Sequence, residues 1–142
     1  MSVQSGNNLN KEVGEALNVG QRALNSLYQA REELKSARNW GYLDMLGGGM
    51  LVTFAKHSRI NNAVNCLNQA KRDLQSFSKE VQDVDAFEGV DLGLGDFAVF
   101  ADYFFDGLIA DFYVQSKINE ASSQVETAIE RVNALMNRLQ NM

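Results

Sequence analysis

The 142-residue sequence has no proline, one cysteine (Cys66), one histidine (His57) and one tryptophan (Trp40). Without proline, no helix in the chain has to kink or stop for want of a backbone donor. One cysteine excludes a disulfide framework and a cysteine-based zinc site. A Cys–His dyad needs the two side chains to converge. Cys66 and His57 stand nine positions apart, about 14 Å along a continuous helix, and do not meet there. The inward Glu-x-x-His pattern of di-iron bundles is absent as well. We therefore expect no catalytic residue, no metal site and no cofactor: the chain is not read as an enzyme. Cys66 reads as a buried structural thiol, and His57 as part of a solvated helix junction.

Positive charge is also scarce. There are 13 Lys and Arg against 18 Asp and Glu, a net charge of −5. A general nucleic-acid binder would carry a basic face instead. The N-terminus opens Met-Ser-Val-Gln-Ser-Gly-Asn-Asn, with no basic region and no apolar run, so no secretory signal is expected. The most apolar stretch, 97–114, contains Asp102, Asp106 and Asp111. One Asp at the bilayer midplane costs roughly 2.5–3.5 kcal/mol, so three argue against a membrane span. The default location is the cytoplasm, with secretion lacking a cleaved signal as the alternative.

What is abundant is helical periodicity. Hydrophobic residues make up 45% and charged residues 22% of the chain, ordinary globular values. Apolar residues at steps of three and four run from about 10 to 38, beginning Val13, Ala16, Leu17 and Gly20. A second stripe runs from about 59 to 84 (Ile60, Ala63, Val64, Leu67, Leu74, Phe77) and a third from about 117 to 141 (Ile118, Ala121, Val125, Ala128, Val132, Leu139). That spacing is the amphipathic-helix signal. Three such helices bury their faces most simply against each other. The expected fold is all-α, a single domain over 1–142. Its architecture is an antiparallel bundle of three long helices with two shorter apolar helical segments. Long amphipathic helices also pair with copies of themselves as coiled coils, so a homo-oligomer is an alternative to the monomer.

A shift of 58 residues aligns two parts of the chain without a gap. It superimposes Asp44 on Asp102, Gly49 on Gly107, Phe54 on Phe112, Ser58 on Ser116, Ile60 on Ile118 and Asn61 on Asn119. Ala63/Ala121 and Ala70/Ala128 extend the match. About eight identities in about 30 positions compare with about two expected from composition. The repeat units span about 42–84 and 100–141. In each, an apolar segment (42–56 and 97–115) forms a short helix or a helical extension. Ser58 and Ser116 either cap the next helix or lie inside it. Gly47-Gly48-Gly49 lacks the Lys and Ser/Thr of a phosphate loop and reads as a packing contact or kink. Gly89, Gly93 and Gly95 mark a loop or short extended connection between helix and apolar segment.

The sharpest compositional feature is the middle of the chain. Between Lys79 and Lys117 there is no Lys or Arg, but nine acids and eight of the 13 aromatics. Three readings compete. The aromatics are core, and the acids pair with Arg38, Lys56, His57 and Arg59. Or acids and aromatics form a surface that selects a basic protein partner. Or the carboxylates bind a hard cation. For the last, Asp83, Asp85, Glu88 and Asp91 fail the EF-hand spacing, with Phe87 at its fifth position and Glu88 where its glycine belongs. Asp102 and Asp106, four apart, share a helix face. The candidate partner-binding residues are Asp102, Asp106, Asp111, Tyr103 and Phe105, and this requires Asp102 and Asp106 to be exposed. A small-ligand or cation-binding module, with its pocket between the repeated segments, is the alternative function.

Two motifs carry a family resemblance. The first is Trp40-Gly41-Tyr42-Leu43-Asp44-Met45-Leu46-Gly47-Gly48-Gly49, leading to Ala55-Lys56-His57-Ser58-Arg59-Ile60. The second is Phe100-Ala101-Asp102-Tyr103-Phe104-Phe105-Asp106-Gly107, leading to Gln115-Ser116-Lys117-Ile118. Over roughly 38–121 the chain resembles a family of small uncharacterised all-helical proteins from Gram-positive bacteria. The resemblance implies a helical fold and no activity. Small secreted helical hairpins carry a Trp-x-Gly turn; here Trp40 and Gly41 are adjacent, and that pattern is not met.

Overall fold

The computed structural model describes residues 2–45, 50–88, 97, 99–102, 107 and 118–141, with side chains over 9–39, 61–84, 97, 99–102, 107 and 118–141. Every described residue except Asn141 is helical. The long helices are α1 (Ser2–Met45, 44 residues), α2 (Met50–Glu88, 39 residues) and α3 (Ile118–Gln140, 23 residues). A further helical stretch lies around residue 100. Helices of 44 and 39 residues are uncommonly long and draw on the absence of proline.

Two of the helices exceed their expected limits. Helix α1 runs beyond 10–38 at both ends. Leu9, packed on the edge of the core, rewards the extra N-terminal turns. Helix α2 begins at Met50 rather than near 59 and passes straight through Ser58, which therefore caps nothing. The first apolar segment is thus a helical extension on both sides of 46–49. Gly47, Gly48, Gly49, Gly89, Gly93, Gly95 and Ser116 lie outside the described residues.

Each long helix buries residues at alternating steps of four and three. In α1 these are Ala16, Gly20, Ala23, Leu27, Ala30, Leu34 and Ala37. In α2 they are Ala63, Leu67, Ala70, Leu74, Phe77, Val81 and Val84, each fully buried. In α3 they are Ala121, Val125, Ala128, Val132, Leu135 and Leu139. Alanine fills alternate rungs over much of each helix. Helix separations of about 8–10 Å depend on the side chains between them, and alanine favours the near end of that range. The 58-residue shift places every buried α2 position from Ala63 to Val81 on a buried α3 position.

Helix α1 is the hub against which both α2 and α3 pack. Gly20 faces Phe77, Ser26 bonds Asp73 and Glu33 lies beside Cys66. The contacts therefore run in opposite order along α1 and α2, and each pair has its sequence midpoint near residues 48–50. Gly20 also meets Met136, Arg31 reaches Glu126 at 3.2 Å and Arg38 reaches Asn119 at 3.5 Å, an opposed order again. The Arg31–Glu126 pair, with side chains 41% and 50% exposed, contributes little, about 0–1 kcal/mol. Cohesion comes from the apolar rungs, which form one core joined by Phe97.

Candidate functional site

The stretch around residue 100 is amphipathic, and its two sides have different fates. Phe97 is 3% exposed. Its ring stands edge-on to Phe77, with centroids 5.8 Å apart and planes at 87°, a favoured aromatic geometry. Phe100 lies 6.2 Å from Phe97, and the Arg131 guanidinium covers its ring at 4.3 Å. Ala101 is buried as well. On the outward side Val99 is 58% exposed and Asp102 is exposed. Asp102 and Ala101 border a small cleft of about 180 Å³ with Gln75, Ser78, Lys79 and Gln82 of α2.

Of the five candidate partner-binding residues, Asp102 is therefore placed, on the surface beside α2. Asp106, Asp111, Tyr103 and Phe105 lie outside the described residues. Phe97 follows the core reading of the aromatics. Arg38 donates to the Asn119 side chain; the side chains of Lys56, His57 and Arg59 lie outside the described residues.

A second acidic group was not foreseen. Carboxylate oxygens of Glu12 and Glu15 on α1 and of Glu80 on α2 lie within 4.8 Å of one another. Burial pushes the Glu80 carboxyl up, and Asp83, Glu15 and Glu12 push it further against the opposing pull of Lys79. Glu12 and Glu15 sit three apart on a helix face, which the sequence displays. Their meeting with Glu80 depends on the α1–α2 register, which it does not.

Cys66 is half-buried and packs on the edge of the core. Burial pushes its thiol up first, and the neighbouring Glu33 carboxylate adds to the shift. Tyr28, Gln29, Glu32, Glu33 and Cys66 line an open groove of about 420 Å³. Glu33 Oε2 is buried there with no hydrogen-bond partner. Because α2 is unbroken from Met50 to Glu88, His57 and Cys66 are held about 14 Å apart along it. They form no dyad.

No described helix is long and apolar enough to cross a membrane. No protein-family model matches this chain, and no curated protein or solved structure matches it.

Proposed function

We propose that this chain is a non-enzymatic interaction or scaffold protein whose contact surface is the acidic and aromatic face around Asp102, Asp106, Asp111, Tyr103 and Phe105. The observation that carries this reading is the exposure of Asp102 on a helical stretch anchored in the core by Phe97. The anchor fixes the backbone and leaves the carboxylate free. Val99, exposed nearby, adds apolar area. An acidic group beside apolar surface suits a protein partner with basic and apolar side chains.

In the same reading the long helices form an antiparallel bundle with coiled-coil seams, and 42–84 and 100–141 are a duplicated unit. The opposed contact orders and the matching burial of α2 and α3 support this. The chain is cytoplasmic and belongs with the Gram-positive helical family that its two motifs resemble.

The test is a pull-down from native lysate with the wild type and with Asp102→Asn/Asp106→Asn. A partner lost in the double variant supports the acidic face. A partner kept by both moves the interface to the long helices and overturns it. Absence of any partner favours the second reading, a cation or small-ligand module with its pocket between the repeated segments. A thermal melt unchanged by calcium, magnesium, manganese and zinc would count against a metal.

A further inference from the structure

Asp102 borders the cleft of about 180 Å³ that Gln75, Ser78, Lys79 and Gln82 line from α2. Those four stand at successive steps of three, one and three, so they share one helix face. Among the described residues, none of these five polar side chains is engaged in a hydrogen bond or an ion pair. Lys79 borders the same cleft as Asp102 and does not pair with it. Charged side chains nearby are occupied: Arg131 lies over Phe100, and Asp73 accepts from Ser26 and Gln69.

The size of the cleft narrows what can enter it. Small-molecule sites run to about 300–1,000 Å³, and this one is smaller, so it suits a single side chain. Its chemistry narrows the choice further. Asp102 supplies a carboxylate, and Gln75, Ser78 and Gln82 supply neutral acceptors. An ammonium is a compact point charge, whereas a guanidinium is a planar fork of N–H donors. One carboxylate flanked by several neutral acceptors matches the fork. Lys79 on the rim repels a second cation, which disfavours a polybasic run. Val99, 58% exposed and three positions before Asp102 on the same helical stretch, offers apolar footing beside the carboxylate.

We propose that this cleft receives a single arginine side chain of the protein partner. Its guanidinium pairs with Asp102 and donates its remaining N–H groups to Gln75, Ser78 and Gln82, while an apolar neighbour of that arginine rests on Val99. The proposal rests on the interaction surface proposed above and names what enters it. Arginine is among the residues enriched at the centres of protein interfaces, and a forked pair with a carboxylate fixes orientation as well as contact.

The experiment titrates the isotope-labelled full chain with N-acetyl-Leu-Arg-Leu-amide and with its lysine and citrulline counterparts, read by nuclear magnetic resonance. The amide signals of Ser78, Lys79, Gln82 and Asp102 should move with the arginine probe. It should bind more tightly than the lysine probe, and the lysine probe more tightly than the neutral citrulline one. Asp102→Asn lowers the arginine affinity by up to about fivefold, the scale of an exposed ion pair, and brings it level with citrulline. Gln75→Leu/Gln82→Leu keeps helix propensity and leaves Asp102 in place, and it abolishes the preference for arginine over lysine. Equal binding of the arginine and lysine probes by the wild type overturns the proposal. So do shifts centred elsewhere on the chain, or none. In the lysate pull-down, a partner lost from Gln75→Leu/Gln82→Leu as well as from Asp102→Asn/Asp106→Asn supports the cleft. A partner lost from the acid variant alone leaves the acidic face standing and overturns the arginine cleft. A partner kept by the acid variant overturns the face itself, and the cleft with it.

Discussion

The Phe77 ring packs onto Gly20, so closely that a Cβ on Gly20 would stand 2.8 Å from Phe77 Cε1. The same Cβ would lie 3.0 Å and 3.1 Å from Met136 Sδ and Cγ. Gly20 occupies the rung that Leu27 and Leu34 fill further along α1. Phe77 occupies the rung that Ala63 and Ala70 fill on α2. Size has been exchanged across the interface, with the largest fully buried side chain among the described residues seated over the smallest residue.

Gly20→Leu therefore overpacks the core, at an expected cost of about 1–3 kcal/mol. Gly20→Ala costs less, since the gain in helix propensity of roughly 0.5–1 kcal/mol offsets part of the clash. Phe77→Ala in the Gly20→Leu background restores the arrangement seen one heptad away. The double variant should regain at least half of the loss in a thermal melt. A Gly20→Leu protein as stable as the wild type would refute this packing.

The Ser26 hydroxyl, buried between α1 and α2 at 7% exposure, donates to Asp73 Oδ2. Gln69 holds the other oxygen of the same carboxylate at 3.1 Å. A hydrogen bond to a charged group contributes roughly 1.5–3 kcal/mol. Ser26→Ala should cost about 1–2 kcal/mol, because Gln69 remains. Urea unfolding would show it as a lower midpoint at an unchanged slope. A shift below a few tenths of a kcal/mol would mean that water replaces the hydroxyl without loss.

The helices were legible because their buried rungs recur at steps of four and three, as at Leu67, Ala70 and Leu74, and because nothing interrupts them. Their ends were not. Residues 42–56 carry a largely apolar run with glycines, and periodicity alone cannot tell a separate short helix from an extension of its neighbours. At the candidate site, the outward placement of Asp102 was an explicit expectation. The burial of Phe97 was the competing one, and both are present on one stretch. Arg131 over Phe100 and Glu80 beside Glu12 and Glu15 were out of reach. Each depends on which helix turns meet, and single-helix patterns contain no register between helices.

Glu80 has its carboxyl raised above the ordinary 4.5 by burial and by Asp83, Glu15 and Glu12, with Lys79 opposing. The folded chain therefore holds this proton more tightly than the unfolded chain. The stability from protonated Glu80 is fully present below the unfolded value and is lost as pH rises through the folded one. At neutral pH the ionised cluster repels itself. Glu80→Gln should raise the melting temperature at pH 7, by an amount of the order of one like-charge pair, about 0.2–0.5 kcal/mol. The advantage should shrink as pH falls toward 4.5. Added salt should shrink it too, because exposed charges are screened. An advantage that grows on acidification would invert the assignment.

Cys66 offers the last test, through reactivity. Thiolate is the nucleophilic form, and burial together with Glu33 holds this thiol above its ordinary value. At pH 8 its alkylation by iodoacetamide should be slower than that of an unhindered peptide thiol. Glu33→Gln removes a negative charge beside the sulfur and should accelerate the reaction while leaving the burial contribution in place. The same variant neutralises a half-buried carboxylate whose Oε2 has no hydrogen-bond partner, which should leave stability unchanged or higher. Slower alkylation in Glu33→Gln would show that Glu33 acts as a base toward the thiol rather than as a repelling charge. Cys66 would then be an activated residue and not a structural one.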